Sequence, residues 1–269
     1  MSKFFFCSSL SSIDKNSWNN CVNDDHPFLQ YEFLSALERS DSATTKTGWQ
    51  PYHYIEKDND DIIALCPLYI KSHSFGEYIF DHSWADAYHR YGLNYYPKLQ
   101  SAIPFTPVTG DRIIINNKVK NKKEKETKII NNIIAEAKKI NVSSLHFNFI
   151  KNPSRWENNK DIMLRSSIQF HWKNNDYKNF DDFLKSLSSR KRKTIKKERL
   201  CISNNNLEVK LLNGDLIKEE HIQFFYDCYL DTTGRKWGST YLSKNFFYDL
   251  LLNFKDKILL IMAFQENIK

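Results

Sequence analysis

Glycine and proline are scarce in this chain, seven of each in 269 residues, which excludes collagen-like and low-complexity architectures. Cysteine is sparse as well: Cys7, Cys21, Cys66, Cys201 and Cys228 are five in number and never form a C-x-x-C pair. An odd, scattered set excludes a zinc or disulfide framework and fits reduced thiols. No apolar run approaches the length of a membrane span, since the longest, Ile258 to Phe264, is seven residues. Met1 to Ser11 has a short apolar patch but no adequate signal-peptide core or cleavage site. The expected compartment is therefore the cytoplasm. His53, His73, His146 and His171 show no metal-ligand spacing and H-E-x-x-H is absent, so no metal is expected.

What the chain does have is apolar mass and one block of charge. A hydrophobic content of 41% and an aromatic content of 14% suffice for a folded core. The net charge of +7 is concentrated in one segment. Lys185, Arg190, Lys191, Arg192, Lys193, Lys196, Lys197 and Arg199 are eight cations against the single acid Glu198, so residues 185–199 carry the whole excess. Such a patch favours a polyanionic partner or a phosphate-bearing ligand.

Periodicity predicts a mixed α/β chain. Strands are expected over 3–8, 52–57, 62–71, 77–80, 99–105, 145–150, 167–172, 207–212 and 257–264. Helices are expected over 13–22 with Ser12 as cap, 28–38, 83–90 closed by Gly92, a segment ending near Ile140, and a basic helix capped by Ser188 or Ser189. Two more follow over 217–230, burying Phe224, Phe225, Cys228 and Tyr229, and over 244–254, burying Phe246, Phe247, Leu250 and Leu251. The order strand, helix, helix, strand thus occurs twice. Phe28-Leu29, Phe33-Leu34 and Leu37 match Tyr241-Leu242, Phe246-Phe247 and Leu250 at identical spacing. Two domains are expected, 1–175 and 176–269, the second opening with the basic helix at about 189–203. An unpartnered last strand leaves that second domain short of a complete sheet, so the reading includes a C-terminal truncation and an inactive fragment.

Several strings in order carry a resemblance: Phe80-Asp81-His82-Ser83-Trp84-Ala85-Asp86-Ala87-Tyr88, Tyr95-Tyr96-Pro97-Lys98-Leu99 and Pro104-Phe105-Thr106-Pro107-Val108-Thr109-Gly110. Phe170-His171-Trp172, Leu187-Ser188-Ser189-Arg190-Lys191-Arg192-Lys193 and Gly234-Arg235-Lys236-Trp237-Gly238 complete the set. Together they resemble the bacterial FemAB-like family of N-acyltransferases and peptidoglycan biosynthesis/recognition proteins, over nearly the whole chain. The resemblance implies tandem GNAT-like (acyl-CoA N-acyltransferase) domains, the second incomplete here. It implies transfer of an acyl or aminoacyl group to an amine on a small-molecule or cell-wall precursor. No cofactor is expected to be bound tightly; the donor co-substrate is acyl-CoA or an aminoacyl-tRNA. The alternative is a non-catalytic protein that binds nucleic acid or a peptidoglycan precursor through residues 185–199. No feature of the sequence encodes an oligomeric state.

Acyl transfer to an amine needs a donor for the developing oxyanion and a route for the departing proton. Asp86, His82, Tyr95 and Tyr96 are the candidates for that relay, with Asp86 one helical turn beyond His82 and the candidate base. The plainer reading makes Trp84 and Tyr88 core and leaves Asp86 exposed or capping. Trp84 is also a candidate substrate contact. Lys98 either binds a carboxylate or phosphate, or lies along the surface at a strand end. The glycine-rich diphosphate loop of GNAT enzymes is absent; Thr109 and Gly110 stand nearest to it, or form a turn with Gly110 at positive φ. Arg190, Lys191 and Arg192 are candidate anion ligands. Arg235, Lys236 and Trp237 join two cations to an indole able to stack on a base or sugar.

Overall fold

A computed structural model describes residues 2–22, 26–157, 159–236 and 239–265. The chain divides into two compact units, Met1–Arg155 with Ile217–Ile258, and Trp156–Leu216 with Leu259–Lys269. The boundary therefore does not follow the division expected near Trp172.

The first unit is built on long strands that switch sheets. β1 (Lys3–Cys7), β3 (His53–Asp58), β4 (Asp61–Cys66) and β7 (Ile114–Ile115) form one sheet in the order β1-β3-β4-β7. β2 (Trp49–Pro51), β5 (Tyr69–Lys71), β6 (Lys98–Ser101) and β8 (Leu145–Phe147) form another, in the order β2-β5-β6-β8. β2 runs into β3 and β4 into β5, with Tyr52 N–H donating to Leu68 O (2.8 Å) at the crossing. All pairs are antiparallel except β6–β8, which is parallel. The 58–61 turn lies where the acids predict it, with Asn59 at φ 53°.

Alternation along β3 sorts its neighbours. His53 and Ile55 face α1 (Lys15–Val22) and α2 (Tyr31–Arg39); Trp18, Leu34 and Leu37 fill that core. Tyr52, Tyr54 and Glu56 face α4 (Lys122–Lys139) and bond to Glu136, Asn132 and Lys125. Asp14, not Ser12, caps α1: its Oδ1 accepts from Ser17 N–H at 2.8 Å, because Ser12 belongs to a preceding 3-10 turn. Burial pushes the thiols of Cys7, Cys21 and Cys66 up to about 11, 12 and 12. Cys201 and Cys228 are exposed.

α7 (Glu219–Gly234) and α8 (Lys244–Phe254) also belong to the first unit. Phe246 meets Phe33 edge-on at 5.6 Å, so two positions matched by sequence spacing touch each other. Arg39 grips Asp249 with two bonds, 2.8 and 2.6 Å, and Ser243 Oγ donates to Ser40 O at 2.8 Å. On α7 the expected burial is corrected: Phe224 and Phe225 are exposed, Cys228 likewise, and the buried side chain is Ile222. Spacing identified an apolar stripe, but the stripe is wider than the contact.

The second unit holds α5 (Phe180–Ser186), α6 (Ser189–Asn204) and an antiparallel pair, β9 (Leu207–Asn213) with β10 (Leu259–Gln265). In chain order a strand, a 3-10 turn, two helices and an antiparallel return strand occur twice, at β1 to β3 and at β9 to β10.

Two expected strands fail and a third is cut short. Residues 167–172 have no ladder partner among the described strands and are exposed, Phe170 at 96%. Residues 77–80 are irregular, with Tyr78 at φ 56°, because Glu77 and Asp81 both turn inward. The strand from Lys98 ends at Ser101, since the guanidinium of Arg112 wedges in beyond it, Nε donating to Asn148 O (2.8 Å) and Nη2 to Val108 O (2.6 Å).

Phe246→Ala should lower the unfolding free energy by about 3–5 kcal/mol in urea denaturation by removing a buried ring. Leu252→Ala, on the open side of α8, should change it by less than about 0.5 kcal/mol.

Candidate functional site

Register places an unusual set of side chains on one face of the β2-β5-β6-β8 sheet. Trp49 pairs with Lys71 and Lys71 with Lys98; one row along, Tyr69 pairs with Gln100 and Gln100 with His146. Period two thus points two lysines, a glutamine and a tryptophan inward while Leu99 takes the opposite face. Both lysines are fully buried.

Two carboxylates meet them from the irregular 72–81 loop. Lys98 Nζ donates to Asp81 Oδ2 at 2.6 Å, Glu77 Oε2 at 2.8 Å and Ser74 Oγ at 3.1 Å. Lys71 Nζ lies 3.6 Å above the Trp49 ring and 3.8 Å from Glu77 Oε1. Tyr95 O–H donates to Asp81 Oδ2 at 2.7 Å, and Tyr96 OH pairs with Ser74 Oγ at 2.7 Å. With the Gln100 amide oriented to satisfy both of its ends, its N–H donates to Glu77 and its oxygen accepts from Asn148 Nδ2.

Burial raises Asp81, but hydrogen bonds from Lys98, Ser74 and Tyr95 outweigh it and hold the carboxyl down at about 2. For Glu77 burial prevails and the carboxyl is raised. For Lys71 burial prevails over the pull of Glu77, aided by repulsion from Lys98, and the ammonium is brought down to about 7. Lys98 and Asp81 are thus the fixed ion pair, and Lys71 is a lysine poised near neutrality.

This cluster positions α3 (His82–Arg90). Asp81 is its N-cap, yet the carboxylate caps no amide because it is held by Lys98 and Tyr95. The Tyr88 ring packs edge-on against Tyr95 at 5.2 Å. Gly92 at φ 69° closes the helix as predicted, with Leu93 N–H donating to Tyr88 O. No residue of α3 is itself fully buried.

The candidate relay residues separate. His82 and Asp86 lie on the outer helix, one turn apart, and both are exposed, as the plainer reading of Asp86 has it. Tyr96 is half-buried with its hydroxyl on Ser74, whereas Tyr95 lies inside the cluster and donates its O–H to Asp81. Burial, then Asp81, raises the Tyr95 phenol, so it serves as a support and not as a relay. Trp84 is 42% exposed and is not core.

Other expectations are corrected. Lys98 neither lies along the surface nor offers a free charge, because the chain's own carboxylates saturate it. Gly110 is not at positive φ; a Cβ there would lie 2.9 Å from His26 Nε2 and 3.3 Å from Arg112 Nη1, so close approach explains the glycine. Thr109 presents its carbonyl to His26 Nε2 at 3.1 Å. In the second unit Arg192 closes α5, donating to Leu184 O and Leu187 O, both at 3.0 Å, while Arg190 and Lys191 are exposed on α6. Arg235 pairs with Asp231 at 2.7 Å, leaving Lys236 exposed; Trp237 lies outside the described residues.

Sequence reading missed Lys71, Glu77, Asp81, Gln100 and Arg112. The alternation Lys98-Leu99-Gln100 beside Tyr69-Ile70-Lys71 was a usable signal, since it puts every polar side chain on one face. Among the described residues no group of three or more His, Cys, Asp or Glu could hold a metal, and no helix is long and apolar enough to cross a membrane.

A mixed α/β unit that buries four charged side chains to hold one short, accessible helix has the build of a binding or catalytic protein. The chain belongs to the FemAB-like family, described as peptidoglycan biosynthesis/recognition, whose model matches residues 9–269. No curated protein matches. Among solved structures, a GNAT family acetyltransferase from Staphylococcus aureus aligns with 64% of this chain and 97% of its own, at 10% identity and a TM-score of 0.36. A likeness at that level carries no inference about this chain.

Lys98→Met leaves two buried carboxylates without their cation and should cost about 3–5 kcal/mol in denaturant unfolding. Lys71 predicts a pH dependence. Its folded value of about 7 lies below an unfolded value of about 10.4, so the unfolded chain binds the extra proton between them. Unfolding free energy should therefore rise with pH across that window and the rise should flatten in Lys71→Met, as read from denaturation curves at successive pH values.

Proposed function

We propose that this protein is an N-acyl or aminoacyl transferase that delivers its group to an amine on a cell-wall precursor. The observation that carries the reading is α3: a family match to peptidoglycan biosynthesis/recognition coincides with an accessible helix held from below by a buried ionic cluster. Buried ion pairs are weak contributors to stability, and their better-attested use is to fix a geometry. Asp86 is the proposed base for the departing amine proton, with His82 one turn away and Trp84 as the substrate contact.

The donor is proposed to be an aminoacyl-tRNA. On α6, Arg190, Lys193, Lys196 and Lys197 fall within one third of the helix circumference and all are exposed. A stripe of that kind suits successive phosphates better than a single diphosphate. A second reading, recognition of a precursor without chemistry, is favoured by the engagement of Tyr95 with Asp81, which removes one relay candidate.

Asp86→Asn should reduce amide formation on an amine-bearing precursor by about 100-fold or more without changing precursor binding. Unchanged turnover removes Asp86 from the chemistry. Binding of tRNA through four phosphates should give a slope of log K against log salt of about −3 to −3.5. A flat slope removes tRNA as the donor.

A further inference from the structure

The opposite face of the same sheet carries a groove that no role above uses. Gln50 pairs with Ile70, and both point away from the lysines. Around them Thr45, Gly48, Ser72, Tyr96 and Pro97 line an open groove of about 440 Å³, with Thr45, Ser72 and Pro97 exposed. Through Thr45 and Gln50 it continues into a smaller basin of about 270 Å³, reached by Ser8 and Pro51.

Its lining is chemically specific. Among the described residues the one charged group bordering either basin is Glu38, and both of its oxygens are engaged: Oε1 accepts from His53 Nε2 at 3.0 Å, and Oε2 from Leu10 N–H at 2.8 Å and Ser9 Oγ at 3.0 Å. His53 Nδ1 accepts from Leu68 N–H, which fixes the proton on Nε2 and closes that acid to outside ligands. By contrast, the side chains of Ser8, Thr45, Gln50 and Ser72 hold no hydrogen-bond partner among the described residues. Three hydroxyls and one amide are therefore free above an apolar floor of Ile70 and Pro97.

We propose that this groove binds a neutral saccharide. An anion would find no cation there and a cation no free carboxylate. A purely apolar ligand would strand the Gln50 amide and the hydroxyls at a cost of about 1–3 kcal/mol for each group left buried and unpaired. A pyranose ring satisfies both halves of the lining, its C–H face on Ile70 and Pro97 and its hydroxyls on Gln50, Thr45 and Ser72. The groove lies across the sheet from the lysine cluster, and Tyr96 borders both, lining the cavity while its hydroxyl bonds Ser74. Saccharide binding here does not depend on the transfer reaction proposed above.

The test is a heteronuclear NMR titration of the whole chain with N,N′-diacetylchitobiose, beside a capped neutral dipeptide of similar size. The expected result is saturable shifts of the Thr45, Gly48, Gln50 and Ser72 amides with the saccharide alone, with an affinity insensitive to salt. Gln50→Leu should weaken it by about three- to tenfold, the effect of one uncharged hydrogen bond. Ser72→Trp, at an exposed position, should fill the cavity and abolish it. Absence of shifts in the unaltered protein, a response to the dipeptide instead, or unchanged affinity in both variants overturns the proposal. Because the readout is binding, loss of transferase activity in an Asp86 variant leaves this result untouched, and the reverse holds as well.

Discussion

The first unit depends on where one ammonium group sits. Lys98 is buried at the middle of a sheet, and it is tolerable there only because Asp81 and Glu77 reach it from a loop that abandons regular structure to do so. Desolvating a charge in this way is costly, and a well-packed apolar trio of similar volume would be at least as stable. What the ionic arrangement supplies is placement. Asp81 starts α3, so the pair that neutralises Lys98 also sets the height and direction of the helix that carries His82, Trp84 and Asp86.

The two faces of the β2-β5-β6-β8 sheet divide labour through nothing more than alternation. On one face Lys71, Lys98 and Gln100 build a polar spine that continues to Asn148 and the buried Arg112. On the other, Gln50 and Ile70 line an uncharged groove. A one-residue slip in any of these strands would exchange the faces, putting an ammonium in the groove and leucine against the carboxylates. Register is therefore specified by electrostatics as well as by burial, which makes this sheet less forgiving than an ordinary apolar one.

Much of this was legible from residues alone, and the omissions have physical causes. Helices α2, α4 and α8 follow from apolar spacing, α6 from its serine cap and cationic run, and the turn at 58–61 from its acids. The match of Phe33 with Phe246 was visible as spacing; that the two rings touch was not, because spacing carries no information on which surfaces meet. Residues 167–172 show the limit for strands, since alternation states a preference and only a neighbour makes a ladder. At the site, Tyr95 and Lys98 were recognised as noteworthy but given outward roles. A lysine looks like surface until its partners are known, and Glu77 and Asp81 lie far enough away in sequence to hide the pairing. Arg190 and Arg192 differ by two positions, yet one is exposed and the other closes a neighbouring helix.

The distribution of thiols has a practical side. Cys21 and Cys66 are buried in the strand-and-helix core and Cys7 is half-buried against it, all three with their ionisation suppressed, while Cys201 and Cys228 stand open on α6 and α7. A maleimide dye offered to the native, unaltered chain will therefore react first at two addresses, one of them on the cationic helix. Fluorescence from that address reports directly on whatever settles there, without engineering a single new attachment point.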